Sequence, residues 1–219
     1  MKKLFDAINK GDLEIVKKII ERNPVLVNCR EKGWRKRDEG ESPLRVAIKN
    51  CHYDIVCLLI KAGADVNDYT ARDHWYISHQ AVYTSVLHCI PRYRLQVGTY
   101  EDSFKILKYL IEHQMDINLP NENGVNCLFV GVKLSHWMMH SAPNIFESDL
   151  VDKLLWNPQF DVQIAYNGFK EIFSLLLMHG ANSEIPKYWQ EQASLSETFS
   201  TSIKWADNIL SLCNGRTDV

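Results

Sequence analysis

The chain has 219 residues, a formal charge of -2 and 46% hydrophobic residues. So small a net charge argues against a dedicated nucleic-acid binder, which would be strongly basic, and no apolar run reaches the ~18 residues that a bilayer-spanning helix needs. Six cysteines are scattered without a C-x-x-C pair, so they read as thiols of a reducing compartment rather than a disulfide framework. Met1 to Asp6 carries no apolar core of the signal-peptide kind, and an intracellular, cytoplasmic protein is expected, with the nucleus as the alternative.

Leu4 to Asn28 predicts two short helices. Leu4, Ala7 and Ile8 line the first, Gly11 makes the turn, and Ile15, Val16, Ile19 and Ile20 line the second. Asn23-Pro24 ends it, because a residue before proline avoids the helical region. Cys29 to Glu41 is a charged connection, C-R-E-K-G-W-R-K-R-D-E-G-E. The most regular stretch follows, from Ser42 to Asn67: S-P-L-R-V-A-I-K-N-C-H-Y-D-I-V-C-L-L-I-K-A-G-A-D-V-N. Ser42 is an N-cap, Pro43 takes the first helical position, and Leu44, Ala47 and Ile48 share one face. Asn50-Cys51 breaks the run, and Ile55, Val56, Leu58, Leu59 and Ile60 line a second helix that Gly63 stops. Neither helix can bury its apolar face alone, which is the mark of a repeat unit that needs neighbours.

Asp68 to Val82 reads as a long loop rich in aromatics and histidine. Ser85-Val86-Leu87-His88-Cys89-Ile90 then repeats the helix start, 43 positions after Ser42. Pro91 shortens or kinks that helix, and Arg92 to Glu101 is an inserted loop. Phe104 to Asn118 repeats the second helix, with Gln114 in the place of Gly63. A fourth start at Gly124 to Gly131 runs on through Trp137 to His140 and is broken by Ser141-Ala142-Pro143-Asn144. Its partner is either Leu150 to Leu155 or, after an insertion, Gly168 to Asn182; the insertion is the favoured alternative. Pro186 closes this segment. Phe199, Ile203, Ala206 and Leu210, capped by Ser196, predict a terminal amphipathic helix.

The Ser42–Ala47 start and the Ile55–Asn67 close resemble an ankyrin repeat, whose T-P-L-H-x-A helix start and I-V-x-L-L-L-x-x-G-A-D-V-N close they follow. Cys51 and Gln114 depart from the pattern, standing where the family has glycine. The resemblance implies an all-α, ankyrin-repeat α-solenoid of about four to five helix-turn-helix units with β-turn fingers and a helical insertion. Its ankyrin domain would cover 1–186, with repeats near 2–41, 42–82, 83–123 and 124–186, and a capping helix and tail would cover 187–219. The implied function is non-catalytic protein–protein interaction: a monomer with a protein partner, no cofactor, no metal, no nucleic acid and no membrane. The family binds through its fingers and first helices, which here points to Trp34, Arg35, Arg37, Tyr69, Arg72, Trp75 and Tyr76, residue types that often anchor interfaces. Two other readings follow from the same resemblance. One is a substrate-recruiting ubiquitin-ligase adaptor, since Asn208 to Cys213 faintly resembles part of a SOCS box. The other is a regulator of a signalling or transcription factor. Family members can also be hydroxylated on the asparagine that ends D-V-N, which here is Asn67 and Asn118, with Leu59 and Leu110 eight positions upstream.

Other chemistry finds little support in the residues. His74, His79, His88 and Cys89, and separately Cys51, His52 and Cys57, lack the tight paired spacing of zinc ligands. No G-x-S-x-G elbow, H-E-x-x-H helix or phosphate-binding G-x-x-x-x-G-K-[ST] loop occurs, so no enzymatic activity is expected.

Overall fold

The structure is a computed structural model that describes residues 1–33, 38–89, 98–148 and 162–213, the side chains of 140–148 and 162 excepted. The described chain is all-α apart from one two-strand hairpin. It divides into two compact units, Met1–Thr84 with Val97–Asp116, and Ser85–Gln96 with Ile117–Val219.

The first unit opens with α1 (Lys2–Lys10) and α2 (Leu13–Arg22). Gly11 joins them at φ 72, and its N–H caps the end of α1. The Asp12 carboxylate accepts from the Ile15 N–H at 3.0 Å and starts α2. A 3-10 turn over Pro24–Asn28 follows, as the Asn23-Pro24 pair dictates. The next pair is α3 (Pro43–Lys49), capped by Ser42, and α4 (Tyr53–Lys61). Leu4, Ile8, Val16, Leu44, Val46, Ile48, Ile55, Val56 and Leu59 are all buried and form its core. The pairs stack by like on like: α1 packs on α3, α2 on α4, and α4 on α6 (Tyr100–Glu112). Ile15 is a correction: it is exposed, while Val16 and Ile20 carry the buried face of α2. It lies about 100° around the helix from Val16.

Both replaced glycines keep the glycine conformation. Cys51 sits at φ 54 and Gln114 at φ 66. Gly98 rests on the first of these turns: a Cβ there would lie 2.3 Å from the Cys51 Cβ. Pro91 and Arg92 to Val97 lie outside the described residues, but the inserted loop ends earlier than its sequence suggests. Thr99 caps α6 by accepting from the Asp102 N–H, and the helix begins at Tyr100.

The larger correction concerns the third helix start. The structure places α5 at Ile77–His88, so Ser85 lies in its last turns rather than at its beginning. The loop before it is correspondingly short, with strands β1 (Tyr69–Thr70) and β2 (Trp75–Tyr76) paired antiparallel. His79 and Ala81 fall 34 positions after Arg45 and Ala47, close to the period of about 33 of this repeat class.

The second unit contains α7 (Cys127–Ser148), α8 (Val162–Met178), α9 (Lys187–Ala193) and α10 (Glu197–Cys213). The Asn126 side chain accepts from the Phe129 N–H at 3.2 Å and starts α7. That helix continues through Ser141 to Asn144, where the residues predict a break; Pro143 removes one backbone donor without ending it. Pro186 caps the start of α9, whose Trp189 is buried edge-on against Phe129 with ring centroids 5.3 Å apart. The expected terminal helix is α10, which packs on α7, α8 and α9. Trp137 is 45% exposed.

One side-chain device recurs and fixes the repeat register. Asn28 donates to the Gly63 carbonyl and accepts from the Asp65 N–H, each at 3.0 Å. Asn67 does the same with Gln114 and Asp116, at 3.4 and 2.7 Å. In the second unit Asn118 bridges to the Gly180 carbonyl at 2.9 Å and the Asn182 N–H at 2.7 Å. Gly180 therefore stands where Gly63 and Gln114 stand, and α8 ends its repeat as α4 and α6 end theirs. That register favours the insertion alternative; the Leu150 to Leu155 stretch lies outside the described residues.

Candidate partner-binding site

The Asp68–Tyr76 finger gathers four of the residues singled out by sequence. Tyr69 pairs with Tyr76 and Thr70 with Trp75 across the two strands. His74 turns the chain at φ 58, a conformation histidine tolerates better than most residues. Its Nδ1 meets the Tyr69 hydroxyl at 2.8 Å. The Tyr69 and Tyr76 rings lie 5.0 Å apart. Trp75 folds back in part: its ring lies 5.3 Å from Tyr83 and stacks on His79 at 6.2 Å, both on α5. The Tyr76 N–H donates to His79 Nδ1 at 3.3 Å, which joins the finger to the first turn of α5. Tyr69, Ala71, Arg72 and Asp73 are exposed, and His74, Trp75 and Tyr76 are half-buried. The site thus presents an aromatic face from a hairpin seated on a helix.

Polar groups that look like surface residues in the sequence hold this finger. Arg45 is wholly buried. Its Nη1 donates to the Trp75 carbonyl at 3.0 Å and its Nη2 pairs with the Asp73 carboxylate. Its Nε faces Glu41 Oε2 at 2.7 Å as an ion pair, without the alignment of a hydrogen bond. Lys49 reaches Glu41 at 3.2 Å and Asp38 at 3.5 Å, and Asn9 donates to Asp38 at 3.0 Å. At the other strand Arg30 donates to Asp68 at 2.8 Å. None of Arg45, Glu41, Asp38 or Arg30 was singled out from the sequence. The one available signal was the Glu41–Arg45 spacing of four, with opposite charges on either side of the Ser42 cap. Trp34, Arg35 and Arg37 lie outside the described residues.

The asparagines singled out for modification, Asn67 and Asn118, have both amide groups engaged in the loop bridges described above. Leu59 and Leu110 are buried.

A second feature is a hollow of about 500 Å³ in the first unit, lined by Gly11, Cys51, His52, Asp54, Asp102 and Lys105 among others. It brings a thiol, an imidazole and a carboxylate to one place, which invites a catalytic reading. The thiol argues against it. Burial, with a smaller contribution from Asp102, pushes the Cys51 pKa up to about 12, and a nucleophilic cysteine needs the opposite shift. Burial also holds the His52 pKa below its ordinary value. The His52 ring fills the space where a Gly11 Cβ would stand, 2.9 Å from its Cε1. Cys57 is hydrogen-bonded to Tyr53, which raises the Tyr53 pKa. Among the described residues no group of three His, Cys, Asp or Glu side chains is placed to hold a metal ion, and no helix is long and apolar enough to cross a membrane.

Stacked helix pairs, left-handed turns at fixed places and a finger hairpin define a class of repeat protein. The family model for ankyrin repeats matches residues 3–90 as three copies, and that part of the chain is built of ankyrin repeats. It is 42% identical over 64 residues to alpha-latrocrustotoxin-Lt1a of Latrodectus tredecimguttatus, a match covering 29% of this chain and 4% of that one. It is 26% identical over 121 residues to ankyrin repeat and SAM domain-containing protein 6 of Rattus norvegicus and of Mus musculus, covering 55% of this chain and 11% of theirs. The chain therefore spans only a small part of the length of these relatives. Ankyrin repeats are in general protein–protein interaction modules and are typically not enzymes.

Proposed function

We propose that this protein is a non-catalytic binding module that grips a protein partner through the Asp68–Tyr76 finger and the adjoining first helix. The observation that carries the reading is the aromatic face of Tyr69, Trp75 and Tyr76, part-exposed yet fixed by ring contacts and by Arg45. Rigid aromatics lose little entropy on binding, and such residues dominate interface energetics. Arg72, exposed at the tip, belongs to the same surface; Trp34, Arg35 and Arg37, outside the described residues, are further candidate contacts. We place the protein in the cytoplasm as a monomer, where its thiols stay reduced. Hydroxylation of Asn67 and Asn118 belongs to the same reading, and mass spectrometry of the native protein tests it.

The adaptor alternative gains nothing from the tail. Ile209 and Leu210 are buried in the packing of α10 against its own unit. A docking element would have to expose them.

Affinity capture from the native source with wild-type protein and with Trp75→Ala tests the proposal. The variant should lose the partner while far-UV circular dichroism stays unchanged. Equal recovery by both proteins would refute the finger as the contact.

A further inference from the structure

We infer that Arg45 is the positioning residue of the finger: from inside α3 it locks the turn of the next hairpin and so fixes the face that Trp75 and Tyr76 present. The finger itself is a weak structure. Its ladder has two residues per strand, and an isolated two-strand hairpin is at best marginally stable in water. Something outside the hairpin must hold it.

Arg45 supplies that hold through three contacts made by one planar group. Nη1 binds the Trp75 carbonyl at 3.0 Å, Nη2 binds the Asp73 carboxylate, and Nε faces Glu41. Asp73 completes the lock from within the turn, because its second oxygen accepts from the Trp75 N–H at 3.2 Å. The backbone of Trp75 is therefore held at both its N–H and its carbonyl by one arginine–aspartate pair. Arg30 contributes at β1 through Asp68 and the Tyr69 carbonyl, the latter at 3.4 Å, but it is 44% exposed where Arg45 is wholly buried. A buried, forked guanidinium is the stronger and more directional tie.

The next repeat gives an internal comparison. His79 occupies the position equivalent to Arg45, and its Nδ1 binds a backbone N–H only three residues away. Arg45 reaches Asp73, 28 positions along the chain. At Arg45 this place in the repeat clasps the following finger. Its length and its fork allow Arg45 to make that clasp, and lysine at the same position lacks the planar fork that fixes all three partners in one geometry.

The lock is a property of the unbound protein, while its consequence for partner recognition rests on the proposed function above. Hydrogen exchange on the full chain separates the two. In Arg45→Met and in Asp73→Asn, amides of the finger, including the Ile77 N–H that bonds the Asp68 carbonyl at 3.0 Å, should exchange at least tenfold faster than in wild type. Amides inside α4 should keep their protection, and Arg45→Lys should fall between. Asp73 is 37% exposed, so Asp73→Asn is the variant that folds even if Arg45→Met does not. Unchanged finger exchange in Asp73→Asn would overturn the inference. So would an equal loss of protection in α3, α4 and the finger, which would assign Arg45 to general stability. Because exchange needs no partner, equal partner recovery by wild type and Trp75→Ala would refute the binding role and leave the lock standing.

Discussion

Replacing Asn118 by alanine tests whether the asparagine bridges hold successive loops together. Asn118 donates to the Gly180 carbonyl at 2.9 Å and accepts from the Asn182 N–H at 2.7 Å, the tightest of the three bridges. Alanine removes both bonds and leaves one donor and one acceptor behind. Each such bond contributes a net ~0.5–1.5 kcal/mol. The site is exposed, so water recovers part of the loss, and ~1–2 kcal/mol is the expected cost. For a chain of this size that corresponds to a fall of roughly 2–8 °C in melting temperature. Urea denaturation followed by far-UV circular dichroism reads the same change as a lower midpoint. Asn118→Asp keeps the acceptor for Asn182 but turns an anion toward the Gly180 carbonyl, so it should cost at least as much at pH 7. A midpoint for Asn118→Ala equal to wild type would show that the bridge follows the loop geometry and does not create it. Asn28→Ala then supplies a second test in the first unit.

Two further variants probe the left-handed turn at Cys51. Gly98→Ala places a methyl group 2.3 Å from the Cys51 Cβ at φ 87, so it combines a clash with a strained backbone and should destabilise by ~2–4 kcal/mol in thermal melts; a cost below ~0.5 kcal/mol, the scale of an ordinary surface change, would contradict that packing. The second prediction concerns pH. The Cys51 thiol titrates near 9.0 when unfolded and near 12 when folded, so between these values the unfolded chain has released a proton that the folded chain keeps. Its stabilising contribution is complete below pH 9 and is lost as pH rises toward 12. The urea midpoint should therefore drop between pH 8 and pH 10.5, and Cys51→Ser should flatten that slope; an identical slope in the variant would show that other groups control it.

Much of the scaffold is readable from single residues, because the repeat states its rules locally. Ser42 caps, Pro43 starts and Gly63 stops as their backbone preferences require. The left-handed turns at Cys51 and Gln114 are found from what those residues replace. The misplaced third helix shows the limit of that method. Ser85-Val86-Leu87-His88 repeats the letters of a helix start, while the true start at Ile77 has neither a serine or threonine cap nor a proline. What marks it is distance: His79 and Ala81 lie one repeat after Arg45 and Ala47. Trp189 escaped for a different reason. It sits in a polar run, and only the packing of Phe129 and Phe199 around it gives it an interior.

The finger makes the same point about the site. Its aromatics were visible because tyrosine and tryptophan in a loop demand an explanation. The arginine that holds them was not, since in sequence Arg45 looks like any charged residue on a short helix. Its burial depends on Glu41 and Asp73, which reach it from opposite directions along the chain. Breaking a buried pair from one side is costly because the other charge is left behind. Here Glu41 retains Lys49 at 3.2 Å when Arg45 is removed, whereas Asp73 has the solvent to turn to. The cost of Arg45→Met should therefore fall mainly on the finger, through the freed Trp75 carbonyl. That asymmetry is why local exchange, more than global stability, is the measurement that discriminates.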